Sequence, residues 1–501
     1  MAILSTLNDR SMILYLAVLV ILPIILVVKY LYRLWFHPLS KFPGPVLARV
    51  SSVWSASAAR KLRKAQAIHE AHQKYGPIVR IGPNELSFSD PAVLRSIYGH
   101  GHRNPKSDFY AGGKFTTHEN MFSMRGINQH AGRRAVMAPV FSARFVSSYI
   151  PLMQQKIQQT LDMLASLSNN GQKTVDLYHW AHNLALDIVF HFTLNCESGT
   201  LVTGKPHPVI RDLEDFQSVF AWTAVFPPLR HFGRFIPIAS VKKPFVSLHN
   251  WIEFCLDITR RERSNDKKAS FINRLLENKD EFLDRQLEDI EVSEELIGFL
   301  FAGSGTAANT TIFLIWAVLQ KREVYEKLVA ELDQNVSDAV TMISADIVNR
   351  LPYLNAVIKE ALRRYPVVPG LQPRVVLEED FVIQNSKIPY GTIIGCQNYT
   401  IHQDPVIFPN PDAFLPERWL ASDTTAQTAA FNGFGMGPRA CIGRNIAMLE
   451  LQLFVSAFFL RFRPTIAESL TPKDMVMTDG FTGGPVSQTL PLYLEERRKT
   501  K

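Results

Sequence analysis

The residues best suited to chemistry are grouped in Phe434-Gly435-Met436-Gly437-Pro438-Arg439-Ala440-Cys441-Ile442-Gly443. A single cysteine stands in a glycine-rich turn, and the apolar run Ile446-Ala447-Met448-Leu449 starts just beyond it. Cys441 is therefore expected at or near a helix N-terminus, where unpaired backbone N–H groups stabilise a thiolate. Gly435, Gly437 and Gly443 let the backbone wrap the sulfur with no Cβ in the way, and Phe434 can cover one side and exclude water. One thiolate with no second cysteine or histidine nearby does not suit zinc, which takes four ligands. It suits a metal held mainly by another ligand set, and a haem iron needing one axial thiolate fits best. The competing reading is a buried structural cysteine in a turn.

Three further groups stand at spacings that matter. His130 and Arg134 are four residues apart, so on a helix they share one face. Haem propionates need cationic or N–H partners, and arginine can bind a carboxylate bidentately; the alternative is a solvated helix face. Ser293 to about Leu319 reads as a long apolar helix, with Ser293 as N-cap and Glu294 and Glu295 at its positive end. Its middle is Ala302-Gly303-Ser304-Gly305-Thr306-Ala307. A glycine inside a helix costs about 1 kcal/mol, so two in one turn predict a local widening with a use: a groove for dioxygen and a water, within reach of the Thr306 hydroxyl. Glu360 and Arg363, three apart on a helix ending before Pro366, would by themselves be an ordinary surface ion pair.

Every fixed position of the pattern F-x-x-G-x-R-x-C-x-G is present between Phe434 and Gly443, and this stretch resembles the haem-binding loop of the cytochrome P450 family. Other stretches resemble the family in the correct order from Pro38 onward. The resemblance implies haem b with Cys441 as its axial ligand, and propionates held by His130, Arg134, Arg374 and Arg439. Glu360, Arg363 and Arg418 match the E-x-x-R and P-E-R-W elements, which implies a buried structural triad behind the haem. Gly303 and Thr306 match A-G-x-[D/E]-T-[T/S], with Thr306 assisting proton delivery. Gly305 replaces the acid of that motif and Ala307 its second hydroxyl, so a water chain, Ser304 or the substrate must supply the proton. Val367, Val368, Leu371 and Phe481 are expected to face the substrate.

The implied fold is mainly α with a smaller β region, a single haem domain behind an N-terminal transmembrane helix. The implied activity is a monooxygenase that inserts one oxygen atom from O2 into a hydrophobic small molecule, by hydroxylation or epoxidation. Its wording is most similar to filamentous-fungal members that act on terpenoids, polyketides or alkaloids. Electrons would come from NADPH through a separate P450 reductase, with cytochrome b5 as an additional partner; Arg133 and Arg444 are candidates for that docking. The departures at Gly305 and Ala307 keep a second reading open, a haem-thiolate desaturase, isomerase, dehydratase or peroxide-user. A non-enzymatic haem sensor is the third.

Positioning these residues requires a large chain. The 501 residues are 47% apolar and 20% charged, a globular balance. The four cysteines, Cys196, Cys255, Cys396 and Cys441, form no C-x-x-C pair, which argues for a reducing compartment. The net charge of +8 is scattered rather than gathered into an aromatic-interleaved patch, which argues against nucleic acid and for membrane lipid or an acidic partner. Met12 to Val28 is uncharged and apolar for 17 residues, roughly 26 Å as helix, enough to span a bilayer. Lys29, Arg33, Lys41 and Arg49 follow it against Arg10 before it, placing the C-terminal side in the cytoplasm. The expected layout is an anchor over 1–30, a proline-rich hinge over 31–48 and a catalytic domain over 49–501. The resemblance implies a single-pass signal anchor in the endoplasmic reticulum membrane. Ile78–Ile81 and Glu85–Phe88 predict a hairpin, residues 176–192 a packing helix and residues 100–125 a loop, which the resemblance implies lines the substrate pocket. Phe216 to Pro237 reads either as ordinary core or as a mobile roof whose tip dips into lipid.

Overall fold

The computed structural model describes residues 9–101, 104–205, 232–264, 270–336 and 343–497. Helix α1 (Asp9–Leu31) continues as a π-helical turn over Tyr32–Phe36. The segment Leu19–Phe36 is long and apolar enough to cross a membrane, and none of it is buried against the rest of the chain. The helical rod therefore runs past the expected end of the anchor.

The proline-rich segment after it is not a free hinge. Leu39 and Phe42 are buried in a cluster with Leu86 and Phe88. The Arg80 N–H donates to the Pro43 carbonyl at 2.7 Å. A Cβ at Gly44 would lie 2.2 Å from the Arg80 carbonyl oxygen, so only glycine permits that approach.

The predicted hairpin is present as β1 (Ile78–Gly82) and β2 (Glu85–Phe88), with Ile78 opposite Phe88. Helix α2 (Ile127–Met137) carries His130 and Arg134. Helix α3 (Leu177–Leu194) starts at Asp176, whose carboxylate accepts the Tyr178 N–H as an N-cap. The long helix α4 (Asp289–Leu319) packs against α3 in the most extensive helix pair among the described residues. Helix α5 (Pro352–Arg364) carries Glu360 and Arg363. Short strands β3 (Arg374–Val375) and β4 (Ile393–Cys396) complete a four-stranded sheet in the order β1-β2-β4-β3, with β4 parallel to β2 and antiparallel to β3. Helix α6 (Arg444–Arg461) follows the cysteine loop. A second sheet places Pro491–Glu496 between Phe462–Ile466 and Thr174–Asp176. One large apolar core joins α3, α4, α5 and α6, and a smaller one lies under the first sheet.

Two expectations about α4 are corrected. It starts at Asp289, not Ser293: Glu288 and Glu291 form a reciprocal capping box, and the Ser293 hydroxyl is buried and donates to the Asp289 carbonyl at 2.8 Å. Nor is the helix widened at its glycines, since it is α-helical without a break from 289 to 319. Gly303 serves packing: a Cβ there would meet Val189 Cγ2 at 2.7 Å, so glycine lets α3 and α4 approach. A Cβ at Gly305 would meet nothing within 4 Å. Of the expected roof, residues 216–231 lie outside the described residues.

Candidate active site

The cysteine loop is held by its own backbone. Cys441 N–H donates to the Phe434 carbonyl at 2.8 Å, closing the turn. Gly435 and Gly437 have φ of 69° and 66°, where a side chain is strained. A Cβ on Gly437 would also fall 2.0 Å from the Tyr98 carbonyl oxygen. Gly443 is different: its φ is −80° and a Cβ there would make only ordinary contacts, one of them 3.9 Å from Cys441 Sγ. It is the N-cap of α6, and its N–H is hydrogen-bonded to the cysteine sulfur. Cys441 keeps accessible surface, yet burial dominates its thiol and raises the pKa, partly offset by the Gly443 N–H, Arg134 and Arg444. A sulfur both accessible and surrounded by protein faces an enclosed space. The Arg444 guanidinium stacks on Phe434 at 5.7 Å.

Five basic side chains gather near this loop. Arg134 Nη1 donates to the Ala440 carbonyl at 2.9 Å. Arg439 donates to the carbonyls of Met124 at 2.7 Å, Gly126 at 2.9 Å and Arg125 at 3.1 Å. Arg374 Nη1 donates to the Tyr110 hydroxyl at 3.2 Å. Lys106, paired by an isolated bridge with Arg374, lies over the rings of Tyr110 and Phe122 at 4.5 and 4.7 Å. His130 is buried, and burial followed by Arg439, Lys106, Arg134 and Arg374 pushes its pKa down to about 2, so its imidazole is neutral. Burial, then Arg439 and Arg374, hold Lys106 well below its ordinary value. Arg439 is pushed down to about 10 by burial, then Arg374, with Arg134 adding to it. Among the described residues, the charges named as acting on Lys106, His130 and Arg439 include no carboxylate. Buried cations without anions are unfavourable, so this cluster fits a group that brings its own carboxylates. With one accessible cysteine sulfur beside it, the donor set matches haem. Lys106 was missed by sequence reasoning, because a lone lysine in a loop normally reads as solvated.

Thr306 is half-buried on α4, and its hydroxyl donates to the Ala302 carbonyl at 2.8 Å. Ala302 is exposed in the middle of a helix that is largely buried, beside the half-buried Phe301, Gly303, Gly305 and Thr306, as residues lining an internal space would be. The Glu360 carboxylate is wholly buried and accepts five hydrogen bonds: Arg363 Nη2 at 2.8 Å, Arg363 Nε at 2.9 Å, Arg418 Nε at 3.1 Å, Leu415 N at 2.9 Å and Trp419 Nε1 at 2.9 Å. Arg363 also donates to the His402 carbonyl at 2.8 Å.

Arg133 is a correction. Expected to be free for solvent or a partner, it is buried and paired with Asp280 at 2.9 Å and Glu295 at 2.6 Å. Glu295 also accepts the Met121 N–H at 2.9 Å. Neighbouring Glu294 accepts Phe115 N at 3.0 Å, Thr116 N at 2.6 Å and Asn120 Nδ2 at 2.7 Å. Neither glutamate lies at the helix start; both fasten the loop 113–121 to α4. Burial raises the Glu294 carboxyl from 4.5 to about 7 against the pull of those donors. A carboxyl whose pKa is raised in the closed state favours closure below its open-state value and loses that contribution as pH rises through the closed-state value. Hydrogen-exchange protection of Phe115 and Thr116, corrected for intrinsic rates, should fall as pH rises from about 4.5 through about 7. Glu294→Gln should flatten that dependence; a dependence unchanged in the variant would remove Glu294 as its source.

A family model described as Cytochrome P450 matches residues 43–492. The chain is 30% identical over 467 residues to "Cytochrome P450 monooxygenase tazI" of Aspergillus terreus (strain NIH 2624 / FGSC A1156), covering 91% of this chain and 94% of that protein. It is 29% identical to "Cytochrome P450 monooxygenase aflV" of Aspergillus parasiticus (strain ATCC 56775 / NRRL 5862 / SRRC 143 / SU-1), covering 91% of each. Its fold is similar to "Crystal structure of cytochrome P450DA heme domain", with a TM-score of 0.76 at 20% identity, covering 91% of this chain and 98% of that one. The chain belongs to the cytochrome P450 family, as a monooxygenase and therefore an oxidoreductase.

Proposed function

We propose that this enzyme is a membrane-anchored haem-thiolate monooxygenase that inserts one atom of O2 into a hydrophobic product of fungal secondary metabolism. The observation that carries it is the exposed Cys441 sulfur beside five basic side chains that form no ion pair among the described residues. Cys441 would hold the iron of haem b through its sulfur, and Arg134, Arg374, Arg439, Lys106 and neutral His130 would hold its propionates. Once bound, that group supplies the binding and cleavage of dioxygen, which thiolate donation favours.

The chain's own residues then do the rest. Thr306 holds its proton on the Ala302 carbonyl at 2.8 Å and can pass that hydrogen bond to a water. Gly305 stands where the family motif has an acid and leaves open space there, so a water chain, Ser304 or the substrate would supply the proton in place of a side-chain carboxylate. Phe481 meets Phe122 edge to face at 5.4 Å and Phe109 at 6.2 Å, and these partly exposed rings give an aromatic surface suited to an apolar substrate. Electrons come from NADPH through a separate reductase, and exposed Arg444 is a docking candidate. The endoplasmic reticulum membrane is the expected site.

Turnover should require both NADPH and reductase; product formed without either would favour the isomerase or peroxide-driven reading that Gly305 and Ala307 support. In the same assay Thr306→Ala should raise hydrogen peroxide released per NADPH consumed. Unchanged coupling would show that protons arrive by another route.

A further inference from the structure

Three arginines meet where the apolar helix ends. Arg33, in the turn Tyr32–Phe36, donates through Nη1 to the Val50 carbonyl. Arg49 Nη2 donates to the carbonyls of Leu34 at 2.9 Å and Ser40 at 3.1 Å. Arg80, from β1, donates to the carbonyls of Arg33 at 2.8 Å and Pro83 at 2.6 Å. Arg80 is 0% exposed, and the Nε atoms of both Arg80 and Arg49 are buried without a partner. Burial, then Arg49 and Arg33, lower the Arg80 pKa to about 10. The adjacent His37 is lowered by burial, then by Arg80 and Arg33, so it stays neutral and adds no charge. Among the described residues none of the three arginines forms an ion pair, and the charges named as acting on Arg80 and His37 are all arginines.

Backbone carbonyls satisfy some of these donors but supply only dipoles. The C-terminal end of α1 offsets roughly half a charge, leaving most of three positive charges uncompensated by protein. The knot also has a defined depth. Tyr32, Trp35 and Phe36 around it are exposed at 48%, 64% and 76%, aromatic residues suited to the headgroup level of a bilayer. Arg33 and Arg49 are only half-buried at that level, unlike Arg80. Guanidinium pairs bind phosphate oxygens bidentately, and they are less strongly hydrated than ammonium groups.

We infer that Arg33 and Arg49, backed by Arg80, form a site for the phosphate of an anionic phospholipid headgroup that docks the catalytic domain on its membrane. This rests on reading the N-terminal helix as a membrane anchor. The occupant is a lipid, not free phosphate, because the site lies at the end of an apolar span, among aromatic residues exposed at the level suited to headgroups.

The test uses the full chain in nanodiscs of phosphatidylcholine doped with phosphatidic acid, with retained lipid counted by native mass spectrometry. Phosphatidic acid should be retained in preference to phosphatidylcholine, and excess inorganic phosphate should not displace it. Arg33→Gln with Arg49→Gln should weaken retention roughly thirtyfold, the ratio given by two basic residues near an anionic surface at about 1 kcal/mol each. Equal retention of the two lipids by the wild-type chain, displacement by inorganic phosphate, or undiminished retention in a folded double variant would each overturn the site. The wild-type lipid comparison stands even where the double variant fails to fold. A chain that does not insert into phosphatidylcholine alone would overturn the anchor reading instead.

Discussion

Glu360→Gln is expected to cost the folded state about 3–5 kcal/mol, the usual penalty for breaking a buried, hydrogen-bonded ion pair from one side. Glu360 and Arg363 are both 0% exposed, and five donors converge on the one carboxylate. The amide of glutamine would turn a donor toward at least one of those donors and leave two buried guanidinium groups without a counter-charge. A single domain is typically stable by about 5–15 kcal/mol, so a large part of the margin would disappear. The triad ties α5 to the segment Pro416–Trp419 just ahead of the cysteine loop, so the variant should also lose haem. Denaturant unfolding and the haem-to-protein ratio measure both effects. Lys327→Ala supplies the contrast: its ion pair with Glu417, at 2.6 Å, joins side chains 53% and 42% exposed, and should change stability by less than about 1 kcal/mol. If Glu360→Gln left midpoint and haem content unchanged, the triad would not be the scaffold inferred here.

What could be read in advance follows from how local each constraint is. The glycines of the cysteine loop were legible because a tight turn around a sulfur needs positive φ, and Gly435 and Gly437 have it. Gly443 was assigned the same task but needs no unusual φ. The strand pair Ile78–Phe88 followed from two apolar runs around Gly82-Pro83-Asn84, and the helix after Asp176 from apolar periodicity; its Asp176 cap is a finding of the structure. The start of α4 was misplaced because an acidic capping box looks like ordinary helix surface, whereas serine is the conspicuous cap.

The misjudged charges share a different cause. Nothing near Arg133 in sequence reveals that Asp280 and Glu295, far along the chain, will enclose it. Glu294 looked like a helix-end charge, but its partners Phe115, Thr116 and Asn120 are roughly 175 residues away, a separation no local pattern encodes. Lys106 belongs to the same class. The packing of Gly303 against Val189 likewise depends on a helix pair that periodicity alone cannot assemble. Candidate site residues could thus be named in advance where a motif carries the resemblance, and stayed hidden where only tertiary structure gives them partners.

Cys441→Ser should abolish turnover while leaving the basic cluster intact. The site already penalises ionisation: burial raises the thiol pKa even with the Gly443 N–H, Arg134 and Arg444 nearby. A serine hydroxyl, far less acidic, would stay protonated there and could not donate charge as a thiolate does. No other cysteine can substitute. Cys255 and Cys396 are buried, with thiols raised well above the ordinary range, and burial lifts Cys196 to about 11. The loop should still fold, because Gly435, Gly437 and the bond from the residue 441 N–H to the Phe434 carbonyl do not involve sulfur. The variant should therefore still take up haem through the basic side chains, but its reduced carbon monoxide complex should lack the red-shifted Soret band of thiolate ligation. This outcome differs from that of Glu360→Gln, which loses fold and pigment together. A Cys441→Ser protein that kept the red-shifted band would place the thiolate elsewhere and overturn the assignment of the axial ligand.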